Sequence, residues 1–324
     1  MVAHCRRLCF IRRFEFHDEI AFPSIAKPYY VTIRDRPRVS GLTSVRWISN
    51  DRLVCCDFNE RAIYLVDRCE NGFRFVDVKP TVGASGQPVS TDLCDYHDGR
   101  VIVSNFFQGT TSLYRVVGDS IVFEKEVVLN QFKGIHGVRF IPGYSNLVWL
   151  SYCGKGNKCL QVVDIDAEKV LWTIHTQEQA QDVAFVGSHA LMAARTAHIT
   201  EGILTERSAA PLKEMYATAY LYKLPDDLRQ APPVLVDSWR GEGHVDAMKE
   251  FGPFVLAANQ YLNRIDIFSM AGGKIGLVNS IPGFNMPHGL DVNQRNELAV
   301  TNYGDQTLRI IQLRVAKSEA ALLA

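Results

Sequence analysis

One unit recurs six times along the 324 residues of the chain. It is a short apolar run, a turn, a second apolar run ending in a polar residue, a loop, and a third apolar run. The copies open at "TSVRWISNDRLVCCDFNERAIYLVD" (Thr43), "TDLCDYHDGRVIVSNFFQGTTSLYRV" (Thr91), "HGVRFIPGYSNLVWLSYCGKGNKCLQVVD" (His136), "QDVAFVGSHALMAARTAH" (Gln181, resuming as "YATAYLYKL"), "VDAMKEFGPFVLAANQYLNRIDIFSM" (Val245) and "HGLDVNQRNELAVTNYGDQTLRIIQL" (His288). Successive starts lie 48, 45, 45, 64 and 43 residues apart. The apolar runs are four to six residues long, rich in Val, Ile, Leu, Phe and Tyr, and bounded by Gly, Asn, Asp and Pro. That is the chemistry of strands and tight turns. Helical periodicity is nearly absent, although "PLKEMYATA" could make a turn or two of helix.

A fourth strand per unit is read in "FRFVDVK", "IVFEKEVVL", "KVLWTIH", "PPVLVDSW" and "KIGLVNSI". Four strands at a period near 45 residues are the mark of a β-propeller blade. The sixth unit ends at Leu313 without a fourth strand, and the N-terminal "RLCFIRRFEF" has no blade of its own. Pairing the two would close the ring and remove an open sheet edge. The expectation is an all-β, six-bladed propeller closed by its N-terminal strand, with residues 1–324 as one domain. The alternative is seven blades, with "KPYYVTIRD" helping to form the extra one; a β-sandwich stands behind both. Blade four carries an insertion over about 195–215, "RTAHITEGILTERSAAPLKEM", which reads as a lid with His198, Glu201, Glu206, Arg207 and Lys213 available to a ligand.

Composition narrows the partners. Lys+Arg and Asp+Glu both number 35, which gives no general electrostatic case for nucleic acid or an anionic membrane. No run of 18 apolar residues suggests a membrane span. The N-terminus lacks the pattern of a signal peptide, and eight irregularly spaced cysteines read as free thiols. A cytoplasmic location is therefore expected. Nothing forms a nucleophile elbow, a phosphate-binding glycine loop or a Cys-x-x-Cys zinc pattern.

In a propeller the first strand of each blade lines the central axis, so the six first-strand starts form a ring at one mouth. They read Thr43-Ser44, Thr91-Asp92, His136-Gly137, Gln181-Asp182, His244-Val245-Asp246 and His288-Gly289. Three of the nine histidines and three aspartates fall on this ring. The second-strand ends add Asp57, Asn105, Tyr152, Arg195, Asn259 and Asn302, flanked by Asn59, Phe106, Phe107, Tyr261 and Tyr303. Convergent polar groups with aromatic walls describe a small-molecule site.

The units from Val245 and His288 resemble NHL-type repeats, and the architecture from Thr43 to Leu313 resembles six-bladed propellers of the gluconolactonase, paraoxonase and peptidylamidoglycolate lyase kind. That resemblance implies a divalent metal at the axial mouth. Gluconolactonase-like members use Glu, Asn and Asp; the lyase uses histidines for zinc. His136, His244 and His288 look like the second set, with His244 one residue out of register, so Zn, Fe or Mn is expected before Ca.

Two functions follow. The first is a metal-dependent hydrolase or lyase/isomerase acting on a small organic substrate. His136, His288 and His244 would hold the metal, Asp92, Asp182 or Asp246 would act as base, and Arg195 would hold an anionic or oxygen-rich substrate. Asn105, Phe106, Tyr152, Asn259, Asn302 and Tyr303 would line the pocket. The second is a non-catalytic scaffold that binds a protein or ligand. The same residues have structural readings: imidazoles bonding a neighbouring blade, aspartates capping inner-strand amides, asparagines forming turns.

Overall fold

The structure is a computed structural model. It describes residues 15–21, 29–33, 36–70, 72–129, 132–154, 157–196, 199–200, 203–204 and 216–313. Six four-stranded antiparallel sheets form a six-bladed β-propeller. No α-helix occurs among the described residues; of "PLKEMYATA" only "YATA" is described, opening the strand Tyr216–Lys223, and the rest lies outside the described residues.

Each blade runs from its inner strand outward. Blade one is Leu42–Ser49, Arg52–Asp57, Ala62–Cys69 and Gly72–Pro80. Blade two is Thr91–His97, Arg100–Asn105, Thr110–Val117 and Ser120–Val127. Blade three is Ile135–Phe140, Leu147–Tyr152, Cys159–Asp164 and Lys169–His175. Blade four is Gln179–Val186, His189–Arg195, Tyr216–Lys223 and Val234–Glu242. Blade five is Val245–Phe251, Phe254–Asn259, Arg264–Ser269 and Gly276–Pro282. Blade six is Pro287–Val292, Glu297–Asn302 and Thr307–Gln312.

Blade six is completed by the N-terminal strand Glu15–Ala21, which pairs antiparallel with Thr307–Gln312, Glu15 opposite Gln312 and Ala21 opposite Thr307. The closing strand overlaps the "RLCFIRRFEF" run only at Glu15 and Phe16; the rest of that run lies outside the described residues. The "KPYYVTIRD" segment makes no seventh blade. Tyr29–Ile33 pairs with Arg36–Ser40 in a hairpin of its own.

Apolar runs such as "LVCC" are buried on both sides because every blade is sandwiched by two others. Side chains alternate across a strand, so Leu53 and Cys55 face blade six while Val54 and Cys56 face blade two. Each of the six junctions between blades holds its own apolar cluster. All six described cysteines are free.

Below the mouth, the axis is crossed by charge. Blades one, three and five contribute Arg46, Arg139 and Lys249; blades two, four and six contribute Asp95, Asp182 and Asp291. Arg46 Nε lies 3.0 Å from Asp95 Oδ1, Lys249 Nζ lies 3.2 Å from Asp291 Oδ1, and Arg139 is paired with Asp182. Each aspartate also accepts an amide of the next blade's inner strand: Phe140 to Asp95 at 2.8 Å, Met248 to Asp182 at 2.8 Å, Trp47 to Asp291 at 2.7 Å. Isolated charges could not be buried here, but alternating ones compensate each other.

Removing one member should expose the cost of burying its partner. Arg139→Met is expected to lower stability by about 3–5 kcal/mol in urea denaturation, because Asp182 is left buried and unpaired; a loss below about 1 kcal/mol would contradict the ring. The ring also has a pH signature. Burial, opposed by Arg46 among others, pushes the Asp182 carboxyl up to about 7, and burial pushes Asp95 up to about 6. An acid whose folded pKa exceeds its unfolded value near about 4 binds more protons when folded. Its contribution to stability is full below about pH 4 and drains away as pH rises through about 7. Asp182→Asn is expected to flatten the fall in melting temperature between about pH 5 and pH 8, and an unchanged slope would count against this assignment.

Candidate metal centre

The site begins with two His-Gly pairs on opposite blades. His136 opens the inner strand of blade three and His288 that of blade six, so the two imidazoles reach the axis from opposite sides. Their rings stack 5.3 Å apart. The glycine after each histidine lets the next blade press close. A Cβ on Gly137 would sit 2.3 Å from the Gln181 carbonyl oxygen, and one on Gly289 would sit 2.5 Å from that of Thr43.

Those same carbonyls fix the imidazoles. His136 Nδ1 lies 3.1 Å from Gln181 O, and His288 Nδ1 lies 2.8 Å from Thr43 O. A carbonyl can only accept, so each Nδ1 carries the proton. In the neutral ring, each Nε2 is then a bare lone pair. Both Nε2 atoms face one carboxylate: His136 Nε2 is 3.5 Å from Asp92 Oδ2, and His288 Nε2 is 3.5 Å from Asp92 Oδ1. The ligand atoms of Asp92, His136 and His288 all lie within 4.8 Å of one another, and all three residues are buried. Two imidazole nitrogens and a carboxylate converge here, an arrangement that a cation between them, or a proton on His136, would bridge. Two imidazoles and a carboxylate suit zinc, iron or manganese.

A second group adjoins the first. Asp246 Oδ1 lies 3.6 Å from His136 Nε2, 2.9 Å from His244 Nε2 and 3.5 Å from Arg195 Nη1. Arg195 also touches His244 Nε2. Burial, then the Arg195 charge, depress His244 to about 3, so this imidazole stays neutral. Burial opposes charge on His136, yet Asp92 and Asp246 hold its pKa above the usual histidine value. Burial would raise Asp246, but the imidazoles of His244 and His288 bring it well below the ordinary carboxylate range. Tyr303 stacks on His288 at 5.2 Å and Tyr261 on His244 at 5.0 Å.

The expected site is thus partly rearranged. His136 and His288 converge, and Asp92 completes the group that His244 was expected to complete. His244 stands one step away, bonded to Asp246. Asp182 leaves the mouth altogether, because blade four bulges at one residue: Ala180 pairs with Ala194 and Asp182 with Ala193, while in blades two and five the bulge spans Asp92 and Asp246. One residue of register turns a side chain over.

The side chains expected to line the pocket make bonds within their own blades. The Asn105 amide donates to Thr110 and Ser112, both at 2.9 Å. Asn259 spans the His244 amide, Glu242 and Asp266, and Asn302 links Asn285 to Thr307. The Tyr152 hydroxyl donates to Gln161 at 2.7 Å inside blade three. Among the described residues only Asn105 Oδ1 of this set is left without a hydrogen-bond partner. Phe106 packs against Phe58, Phe107 and Cys153 at the rim of blades one, two and three.

Of the blade-four insertion, Ile199–Thr200 and Ile203–Leu204 pair as a short hairpin; His198, Glu201, Glu206, Arg207 and Lys213 lie outside the described residues. That hairpin touches Tyr29–Ile33 of the hairpin that leads into blade one.

Gly289→Ala is expected to destabilise the fold by about 1–3 kcal/mol or more in thermal or urea melts, since its Cβ meets backbone that belongs to the next blade. Gly276→Ala, where a Cβ meets nothing within 4 Å, should cost little. Equal losses would contradict the close approach.

No family model matches the chain, and no curated protein matches it. Solved structures do. The WD40 β-propeller domain of Doa1 is 11% identical, with a TM-score of 0.57 over 87% of this chain and 96% of that one. Hydrazine synthase of Kuenenia stuttgartiensis is 11% identical, with a TM-score of 0.59 over 86% and 97%. At that identity the likeness concerns the fold alone: the chain is a six-bladed β-propeller with a buried Asp–His–His group that could hold a metal ion.

Proposed function

We propose that the axial mouth is the metal centre of an enzyme, a hydrolase or a lyase/isomerase, that acts on a small oxygen-bearing organic molecule. One observation carries this reading. Both axial imidazoles spend Nδ1 on a carbonyl of the next blade and turn Nε2 toward Asp92. Metal-binding histidines are commonly oriented in this way.

When bound, a zinc, iron or manganese dication would act as a Lewis acid on an oxygen of substrate or water. The chain supplies the rest. His136, His288 and Asp92 hold the ion's position. Asp246, 2.9 Å from His244 Nε2, is the proton-handling group, and its Oδ2 has no hydrogen-bond partner among the described residues. Arg195 holds negative charge beside them. The hairpins of blade four and of the segment before blade one rise from blades that face each other across the axis. The two hairpins touch each other, and a cover formed by them would exclude water from the mouth.

A non-catalytic scaffold is the second reading. The histidine–carbonyl bonds that support the first also tie blade three to four and blade six to one.

Elemental analysis of untagged protein separates the two. The enzyme reading predicts near-stoichiometric metal, largely lost in Asp92→Asn, whose blade contacts are otherwise intact. Metal content should also fall as pH drops below about 6, because protons compete for Nε2. Metal-free wild type whose melting temperature ignores added Zn2+, Mn2+ and Fe2+ would leave the histidines as blade ties.

A further inference from the structure

We infer that Cys56 and Cys94 are an oxidation site, a thiol pair that hydrogen peroxide closes to a disulfide stapling blade one to blade two. Neither thiol takes part in the function proposed above, and the pair closes with or without a metal at the mouth.

Three short side chains from two blades meet at one point. Ser44, in the inner strand of blade one, lies directly opposite Cys56 of the second strand. The Ser44 hydroxyl accepts the Cys94 amide of blade two at 3.0 Å and lies 3.2 Å from Cys94 Sγ. The Cys56 and Cys94 thiols also hydrogen-bond to each other. The two sulfurs are therefore in contact across the blade junction, enclosed with Val54, Ile63, Leu65, Val101 and Val103 in one apolar cluster. Cys55, one residue back on the same strand, turns to blade six. Alternation along the strand thus selects Cys56 for the pair.

Both thiols are 0% exposed, and burial sets which oxidant can act. A disulfide of peptide size needs open access to the sulfur it exchanges with. Hydrogen peroxide is little larger than water and needs only local opening of the packed side chains. It oxidises one thiol to a sulfenic acid and releases one water. The second thiol attacks that sulfur, the S–S bond forms, and the hydroxyl leaves with the attacking thiol's proton as a second water. The two thiols give up two electrons and two protons, and the broken O–O bond of the peroxide takes them. The partner thiol is already in contact, while the apolar wall holds back a second peroxide, so bond closure outruns further oxidation. The bond closes a loop from Cys56 to Cys94 and restricts the unfolded chain.

The test is peptide mapping by mass spectrometry of the full chain after a small excess of hydrogen peroxide, with remaining thiols blocked before digestion. A Cys56–Cys94 linked peptide, about 2 Da lighter than the two free peptides together, is expected. The melting temperature of the treated protein should rise by about 5 °C. Cys94→Ser, treated in the same way, should show neither change; should it not fold, the wild-type map and melt decide. Wild-type protein in which Cys56 and Cys94 stay free while the exposed Cys69 is oxidised would overturn the inference. So would linkage among other cysteines alone, or a Cys56–Cys94 bond that leaves the melting temperature unchanged.

Discussion

Six inner strands meet on one axis, and the polar groups at their starts, Thr43, Ser44, Thr91, Asp92, His136, Gln181, Asp182, Asp246 and His288, are buried there. The rest of the structure depends on how that constraint is met. Apolar packing between blades cannot meet it, because the axis is where the blades stop touching face to face. The protein answers with charge that alternates from blade to blade, each aspartate holding both a base and a backbone amide of its neighbour. The Arg139 guanidinium bonds to carbonyls of Cys94, Val183 and Met248 as well as to Asp182, so it reaches blades two, four and five and lies across the axis. The ring therefore fixes the angle between blades and fills the channel.

What lies above the ring follows from that filling. The mouth ends on charged side chains, and the polar groups at the inner-strand starts share a confined space. Electrostatic interactions there are stronger than at an open surface. The histidine–carbonyl bonds extend the same device upward, a side chain of one blade satisfying the backbone of the next. His136 and His288 spend Nδ1 on the neighbouring blade and leave Nε2 facing Asp92. The leftover Nε2 pair, with Asp92 opposite, is the feature that turns a structural solution into a site.

The architecture was legible in the sequence because blade repetition is written in features that read locally: apolar runs, turn residues, and a period near 45. The closure by an N-terminal strand was legible as an unpaired edge, and the described strand Glu15–Ala21 begins at the last two residues of "RLCFIRRFEF". The mouth was half legible. His136 and His288 stand out because each precedes a glycine at the same point of the repeat. Asp182 misled because a one-residue bulge in blade four shifts its register, which no local pattern reveals. The charge ring was missed for a related reason. Arg46, Asp95, Arg139, Lys249 and Asp291 follow the strand starts by three or four residues, and their alternation appears only after the bulges are known. Asn105, Asn259 and Asn302 looked like pocket walls because they share a blade position in blades two, five and six, but in each of them the side-chain amide fastens its own blade.

The central claim is that a metal ion sits on the axis between two opposite blades. Anomalous X-ray diffraction from crystals of the zinc-loaded protein tests it most directly. The account predicts one strong peak within bonding distance of Asp92, His136 Nε2 and His288 Nε2, about 2.0–2.2 Å from each ligand atom. A peak at His244 and Asp246 instead, or no peak and both imidazoles still bonded to the carbonyls of Gln181 and Thr43, would contradict it.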